Sequence, residues 1–145
     1  SEVSAWDIST DALRIARGNA ASLHAVVDFR QQDALHAPME DREKWDLIIS
    51  NPPYVMEKER KEMADNVLRH EPSLALFVPN DDPLRFYRAI ARYGKHALRP
   101  SGTLLFEINP LLAEDMLRLL EEESYQHVQL IADAFGKSRF TKATI

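Results

Sequence analysis

With 145 residues, 45% of them apolar, the chain is long enough for one domain with a real core. Its net charge of −5 argues against a broad nucleic-acid surface, which is normally basic. The absence of cysteine excludes a disulfide framework, a thiolate metal site and a cysteine nucleophile.

No apolar run approaches membrane-spanning length, and the first residues lack a basic region followed by an apolar one, so neither a span nor a signal peptide is expected. A cytoplasmic protein fits. His24, His36, His70, His96 and His127 are scattered without an i, i+4 pair, and no metal site is expected.

In chain order, Val3-Ser4-Ala5-Trp6 predicts a short strand closed by Asp7. Ser9 or Thr10 caps a helix that carries Leu13, Ala16, Ala20 and Leu23 at helical spacing. Asp7 has two readings: a turn residue before a helix, or a carboxylate placed to accept hydrogen bonds from ribose hydroxyls. Ala25 to Arg30 reads as the next strand. Asp33, which follows it, is either a loop residue or an acceptor for an adenine amino group. Leu35 to Lys44 is a surface connection.

The pivotal stretch is Trp45-Asp46-Leu47-Ile48-Ile49-Ser50-Asn51-Pro52-Pro53-Tyr54. Leu47-Ile48-Ile49 is brief, apolar and β-branched, as a buried strand is. Each proline then fixes its own φ and lacks an N–H, and Pro52 drives Asn51 out of the helical region. The outcome is a rigid turn at the carboxyl end of a strand, where open α/β sheets place ligands. An amide side chain with a backbone carbonyl can grip a planar –NH2 group while a ring stacks on its plane. The plain alternative is a strand-ending turn capped by Asn.

Val55 to Asp82 is long and irregular, with the mixed charge run Glu57 to Glu62, and reads as a substrate-facing loop. Within it, Glu71 to Phe77 returns apolar residues to the body. Asp82-Pro83 predicts a helix start whose buried face holds Tyr87, Ile90, Ala91, Gly94, Ala97 and Leu98. Arg99-Pro100-Ser101-Gly102 ends it and turns into the strand Thr103 to Ile108. Asn109-Pro110 leads to an amphipathic helix through Leu112, Met116, Leu119 and Leu120. Tyr125 to Ala132 and Phe140 to Ile145 predict two strands joined by a hairpin at Phe135 to Arg139. Such alternation, closed by a hairpin, predicts an α/β fold: a parallel sheet with an antiparallel strand at its end.

Asn51-Pro52-Pro53-Tyr54 behind an apolar strand resembles the catalytic motif of S-adenosylmethionine-dependent amino-group N-methyltransferases. Further landmarks are Val3 to Ser9 followed by Ala12-Leu13, Ala16 and Asn19-Ala20, then Glu71-Pro72 with Ala75-Leu76-Phe77, Gly102-Thr103-Leu104 and Glu107-Ile108. Together they resemble the protein-(glutamine-N5) methyltransferases of peptide chain release factors, over nearly the whole chain. The resemblance implies a class I, Rossmann-like methyltransferase sheet, S-adenosyl-L-methionine as cofactor and a release factor as protein substrate. It implies that Asp7, with Ile8 beside it, binds the ribose, and that Asp33 and Ala34 flank the adenine. Asn51 would sit between cofactor and substrate, and Asn51, Pro52, Pro53 and Tyr54 would hold the glutamine amide.

This sequence departs from that family in three places. The chain has only Gly18, Gly94, Gly102 and Gly136, so the family's glycine-rich cofactor loop is missing. The match starts at the family's second strand, so residues 1–145 are expected to be part of a catalytic domain, without the first strand and the helical N-terminal domain. Two strand edges would then lack the partner between them. Asn109-Pro110 stands where the family has Gly followed closely by Gln. Two other functions compete: an RNA or DNA amino methyltransferase, which would need a basic face, and a non-catalytic fragment that cannot hold the cofactor. The oligomeric state is left open.

Overall fold

The structure, a computed structural model, describes residues 1–53, 55–56, 77–78 and 82–145, and divides into two units, Ser1–Ala37 and Pro38–Ile145. The Val55 to Asp82 loop expected above, with its charge run and its Glu71 to Leu76 stretch, lies largely outside the described residues.

The first unit is a β-α-β turn of chain. Strand β1 (Ser4–Asp7) runs parallel to β2 (Asp28–Gln31), with Ser4 opposite Asp28 and Asp7 opposite Gln31. Helix α1 (Thr10–Ser22) joins them. It starts as expected at Ser9, whose hydroxyl accepts from the Ala12 N–H at 3.1 Å and so satisfies one of the helix's orphan donors. Two expectations shift. Strand β2 begins at Asp28 rather than Ala25, because Ala25 N–H is taken by the Ala20 carbonyl in closing α1. Leu23 is exposed because it stands at the C-cap, past the last turn that could face a core.

The second unit is a four-stranded sheet of order β3-β6-β8-β7 with two helices. Strand β3 (Trp45–Ser50) leads, through the turn after it, to the two-residue strand β4 (Val55–Met56), which pairs in parallel with β5 (Phe77–Val78). Helix α2 (Arg85–Ala97) follows, then β6 (Leu98–Glu107), a 3-10 turn at Pro110–Leu112, helix α3 (Ala113–Glu122), and strands β7 (Gln126–Ala132) and β8 (Ser138–Thr144). Strand β6 is parallel to β3 and antiparallel to β8, which is antiparallel to β7. Strands β3, β6 and β7 therefore all point the same way, and the expected terminal hairpin contributes the antiparallel strand.

The periodicity of α2 explains its packing. Tyr87, Ile90, Ala91, Gly94 and Ala97 recur at three- and four-residue steps and all are buried. Tyr87 meets Phe106 edge-on at 5.1 Å and donates its hydroxyl to the Glu107 carbonyl at 2.9 Å. On β6, alternate residues Leu104 and Phe106 enter the core, as does Ile108 just past its end, while Met116, Leu119 and Leu120 of α3 cover β7 and β8. Trp45 pins the start of β3 to α2: its indole N–H donates to the Tyr93 hydroxyl at 2.8 Å, which donates to the Asp41 carboxylate at 2.6 Å.

Helix α2 starts at Arg85, not at Asp82-Pro83. The Asp82 carboxylate pairs with Arg88 at 3.1 Å instead of capping the helix. The turn expected at Arg99 to Gly102 is a bulge within β6: register passes from Trp45 opposite Leu98 to Leu47 opposite Thr103. Ser101 takes a φ of 64° there, and a Cβ on Gly102 would lie 2.8 Å from the Arg99 carbonyl oxygen, so only glycine fits without a shift.

Strand β3 pairs with β6 on one side, and among the described residues nothing pairs with its other side. Leu47 and Ile49, which alternate out of the sheet on this strand, are 50% and 67% exposed.

Candidate active site

Parallel pairing brings four of the expected site residues to one edge of the first unit. Asp7 ends β1, Ile8 follows it, and Asp33 and Ala34 lie just past β2. Asp7 is exposed; its Oδ1 accepts from the Ser9 N–H at 2.8 Å, and its Oδ2 has no hydrogen-bond partner among the described residues. That arrangement fixes the carboxylate's direction while leaving one oxygen open to a hydroxyl. Its backbone carbonyl takes the Gln32 N–H at 3.0 Å, tying the two strand ends together. Asp33 caps the 3-10 turn Ala34–His36: Oδ1 accepts from the Leu35 N–H at 2.9 Å and Oδ2 lies 2.9 Å from His36 Nδ1. Both expected readings of Asp33, loop residue and acceptor, begin from this local role.

In the second unit, Asn51, Pro52 and Pro53 close β3. Pro52 is buried and anchors the turn, Pro53 is half-buried, and Asn51 is exposed. No hydrogen bond among the described residues engages the Asn51 side chain, so its amide is free to meet a ligand. Tyr54 lies outside the described residues. The residues expected to bind the nucleotide and those expected to hold the acceptor thus belong to different units.

Two residues given no role by the sequence, Gln31 and Gln32, brace the edge of the first unit. Gln31 Nε2 donates to the Ile8 carbonyl at 3.1 Å, and Gln32 Nε2 donates to the Asp33 and His36 carbonyls at 3.1 and 2.8 Å. Their signal was a pair of amide side chains directly after a strand. Asn109, buried at the end of β6, accepts the Leu111 N–H on Oδ1 at 3.0 Å. The Asn-Pro pair marked it as a cap. Among the described residues, no three His, Asp or Glu side chains gather closely enough to hold a metal ion, and no helix is long and apolar enough to cross a membrane.

A β-α-β start, a mixed sheet with its antiparallel strand beside β6, and an Asn-Pro-Pro turn on a parallel strand define a Rossmann-like methyltransferase fold. A SAM-dependent O-methyltransferase from Thermotoga maritima shares this fold, with a TM-score of 0.67 at 11% identity over 99% of this chain and 49% of that one. The model of the methyltransferase small domain family matches residues 1–75 of the 145, and the chain belongs to that family. Among curated relatives, the release factor glutamine methyltransferase of Bacteroides thetaiotaomicron is 53% identical over 142 residues, 98% of this chain and 51% of that protein. The release factor glutamine methyltransferase of Flavobacterium psychrophilum is 40% identical, over 97% of this chain and 49% of that protein. The chain spans about half the length of the curated relatives it matches.

Proposed function

We propose that this chain is the part, from the second strand onward, of a catalytic domain that methylates the side-chain amide nitrogen of a glutamine in a peptide chain release factor. The observation that carries this reading is the exposed, unengaged Asn51 amide on a turn anchored by buried Pro52. The relatives' names agree with it. Action in the cytoplasm, with no direct contact to nucleic acid, follows from that substrate and from the net charge of −5.

S-adenosylmethionine, when bound, supplies an electrophilic methyl group on a sulfonium. The residues of the first unit fit its nucleoside: Asp7 offers an open carboxylate oxygen to ribose hydroxyls, Ile8 an apolar side chain, and Asp33 with Ala34 a polar and a small contact for adenine. Asn51 accepts the two N–H bonds of the glutamine amide on its side-chain and backbone oxygens, while Pro52 and Pro53 keep those acceptors from drifting, and Tyr54 is assigned the stacking face. An amide nitrogen is a poor nucleophile, so positioning and charge stabilisation carry the rate. With the cofactor bound, its methyl would pass to the amide nitrogen, and the Asn51 side-chain and backbone oxygens would stabilise the positive charge developing there until the amide proton passes to solvent.

The test is transfer of labelled methyl to an unmodified release factor, with the position read by mass spectrometry. Asn51→Ala is expected to lower turnover by about a hundredfold or more, on the scale of losing an electrostatic contact made in the transition state, with its melting temperature kept. Undiminished transfer by that variant would overturn the role of Asn51.

A further inference from the structure

Three connections lie along one edge of the second unit's sheet. Strands β3, β6 and β7 are mutually parallel, so the Asn51 turn, the Asn109–Leu112 segment and the β7–β8 hairpin all leave the same end. The order β3-β6-β8-β7 ranges them across it in that sequence.

Two of these connections carry an apolar side chain in solvent: Leu111 is 66% exposed and Phe135 is 90% exposed. Singly exposed apolar residues are ordinary on protein surfaces. What distinguishes these two is a shared edge and a shared backbone lock. Asn109 Oδ1 accepts the Leu111 N–H at 3.0 Å, and Asp133 Oδ1 accepts the Phe135 N–H at 2.8 Å, each from two residues upstream. Asp133 Oδ1 also takes the Lys137 N–H at 3.0 Å, and Oδ2 pairs with Arg139 at 3.3 Å, so the hairpin tip has little freedom left to lose. Ordering a loop costs binding energy, and a locked tip has met that cost beforehand.

We propose that Leu111 and Phe135 form a two-point apolar contact for the protein that carries the acceptor glutamine. The inference rests on the transfer to a protein glutamine proposed above. Strands stand about 4.8 Å apart, so Leu111 lies roughly one strand spacing and Phe135 roughly two to three spacings, about 10–15 Å, from the Asn51 turn. That distance corresponds to three to five extended residues at about 3.3 Å each. A folded acceptor whose glutamine loop is flanked by apolar side chains reaches all three points; free glutamine reaches only the turn. The contact gives the enzyme a reason to prefer a protein over a loose amide, and does so away from the reacting atoms.

The test is titration of an unmodified release factor into the wild-type chain and into Leu111→Ser, Phe135→Ser and Phe135→Trp, with steady-state kinetics wherever turnover is measurable. Each serine variant is expected to raise Kd and KM about five- to tenfold with kcat kept, and tryptophan is expected to restore wild-type affinity, since aromatic anchors dominate interfaces of this kind. Both positions are exposed, so melting temperatures should not move. Wild-type binding matched by both serine variants would overturn the contact and leave the proposed transfer standing. A wild-type chain that does not bind the factor would overturn the contact, and the methyl-transfer assay with Asn51→Ala tests the reaction separately.

Discussion

The Tyr125 hydroxyl donates to the Ala91 carbonyl at 2.7 Å, across the space that Gly94 leaves open on α2. Burial, and then the nearby Glu123, raise the phenol's pKa far above its ordinary value, so the donor proton stays in place. A Cβ on Gly94 would stand 2.5 Å from that oxygen.

Gly94→Ala therefore sets two effects against each other. Helix propensity favours alanine by about 1 kcal/mol, and overpacking a filled site costs about 1–3 kcal/mol. With the contact this short, and with the ring unable to retreat without losing its hydrogen bond, destabilisation should win. Urea unfolding should show a loss of about 1–2 kcal/mol. In a Tyr125→Phe background the obstructing oxygen is gone, and the same change should be neutral or stabilising. Equal losses in both backgrounds would show that the hydroxyl is not the obstacle.

Asp133 yields a pH prediction. The Lys137 N–H lowers its pKa below the ordinary 3.8, burial works in the opposite direction, and the Phe135 N–H and Arg139 reinforce the lowering. A carboxyl whose folded pKa is depressed stabilises the fold above its unfolded value, and that contribution fades as pH falls through the lower folded one. The hairpin amides of Phe135 and Lys137 should thus hold their NMR shifts down to acid pH and lose them below 3.8. In Asp133→Asn they should be pH-independent over that window. An identical acid transition in the variant would place its origin elsewhere.

Asp7 bears on the proposed cofactor. Removing a carboxylate that bonds a ribose hydroxyl should cost about 1.5–3 kcal/mol of binding. Calorimetric titration with S-adenosylhomocysteine should accordingly show Asp7→Ala weakened about ten- to a hundredfold. Because Asp7 also holds the Ser9 N–H, helicity must be compared at the same time; Asp7→Asn retains an acceptor for that bond.

The sheet itself offers a contrast between two apolar residues. Leu104 is 1% exposed in the centre of β6, and Leu104→Ala should cost about 2–5 kcal/mol. Ile49 stands in solvent on β3, so Ile49→Thr should shift stability by no more than about 0.5 kcal/mol. The same change should lower self-association, because a strand with apolar side chains and one edge unpaired among the described residues templates aggregation. Light scattering of the two proteins at equal concentration decides this.

What the sequence made legible was whatever local chemistry decides alone. Apolar runs located β3 and β6, the Ser9 cap located α1, and two prolines located the Asn51 turn. Boundaries set by competition between partners were not legible. Asp82 and Pro83 form a credible helix start, but Asp82 found Arg88; Ala25 to Val27 look like strand, but Ala25 N–H closes α1. The β6 bulge was visible only as turn residues, since its strand character comes from pairing with β3. On the site, the Asp7 and Asp33 positions follow from parallel pairing of short strands, which alternation predicts. The bracket made by Gln31 depends on a side chain reaching across an edge to the Ile8 carbonyl, and no periodicity encodes that, whereas the Gln32 and Asn109 bonds are local turn chemistry.

The placing of β8 between β6 and β7 has a consequence for synthesis. Strand β7 leaves the ribosome before β8, yet among the described strands it touches only β8. A nascent chain stalled before Ser138 would hold β6 with one neighbour and β7 with none, exposing the faces that Thr141 and Ala143 later bury against. Translation at roughly 5–20 residues per second makes that interval brief. The seven residues of β8 nonetheless act as a keystone, and the order in which the chain is made leaves it until nearly everything it must join is already waiting.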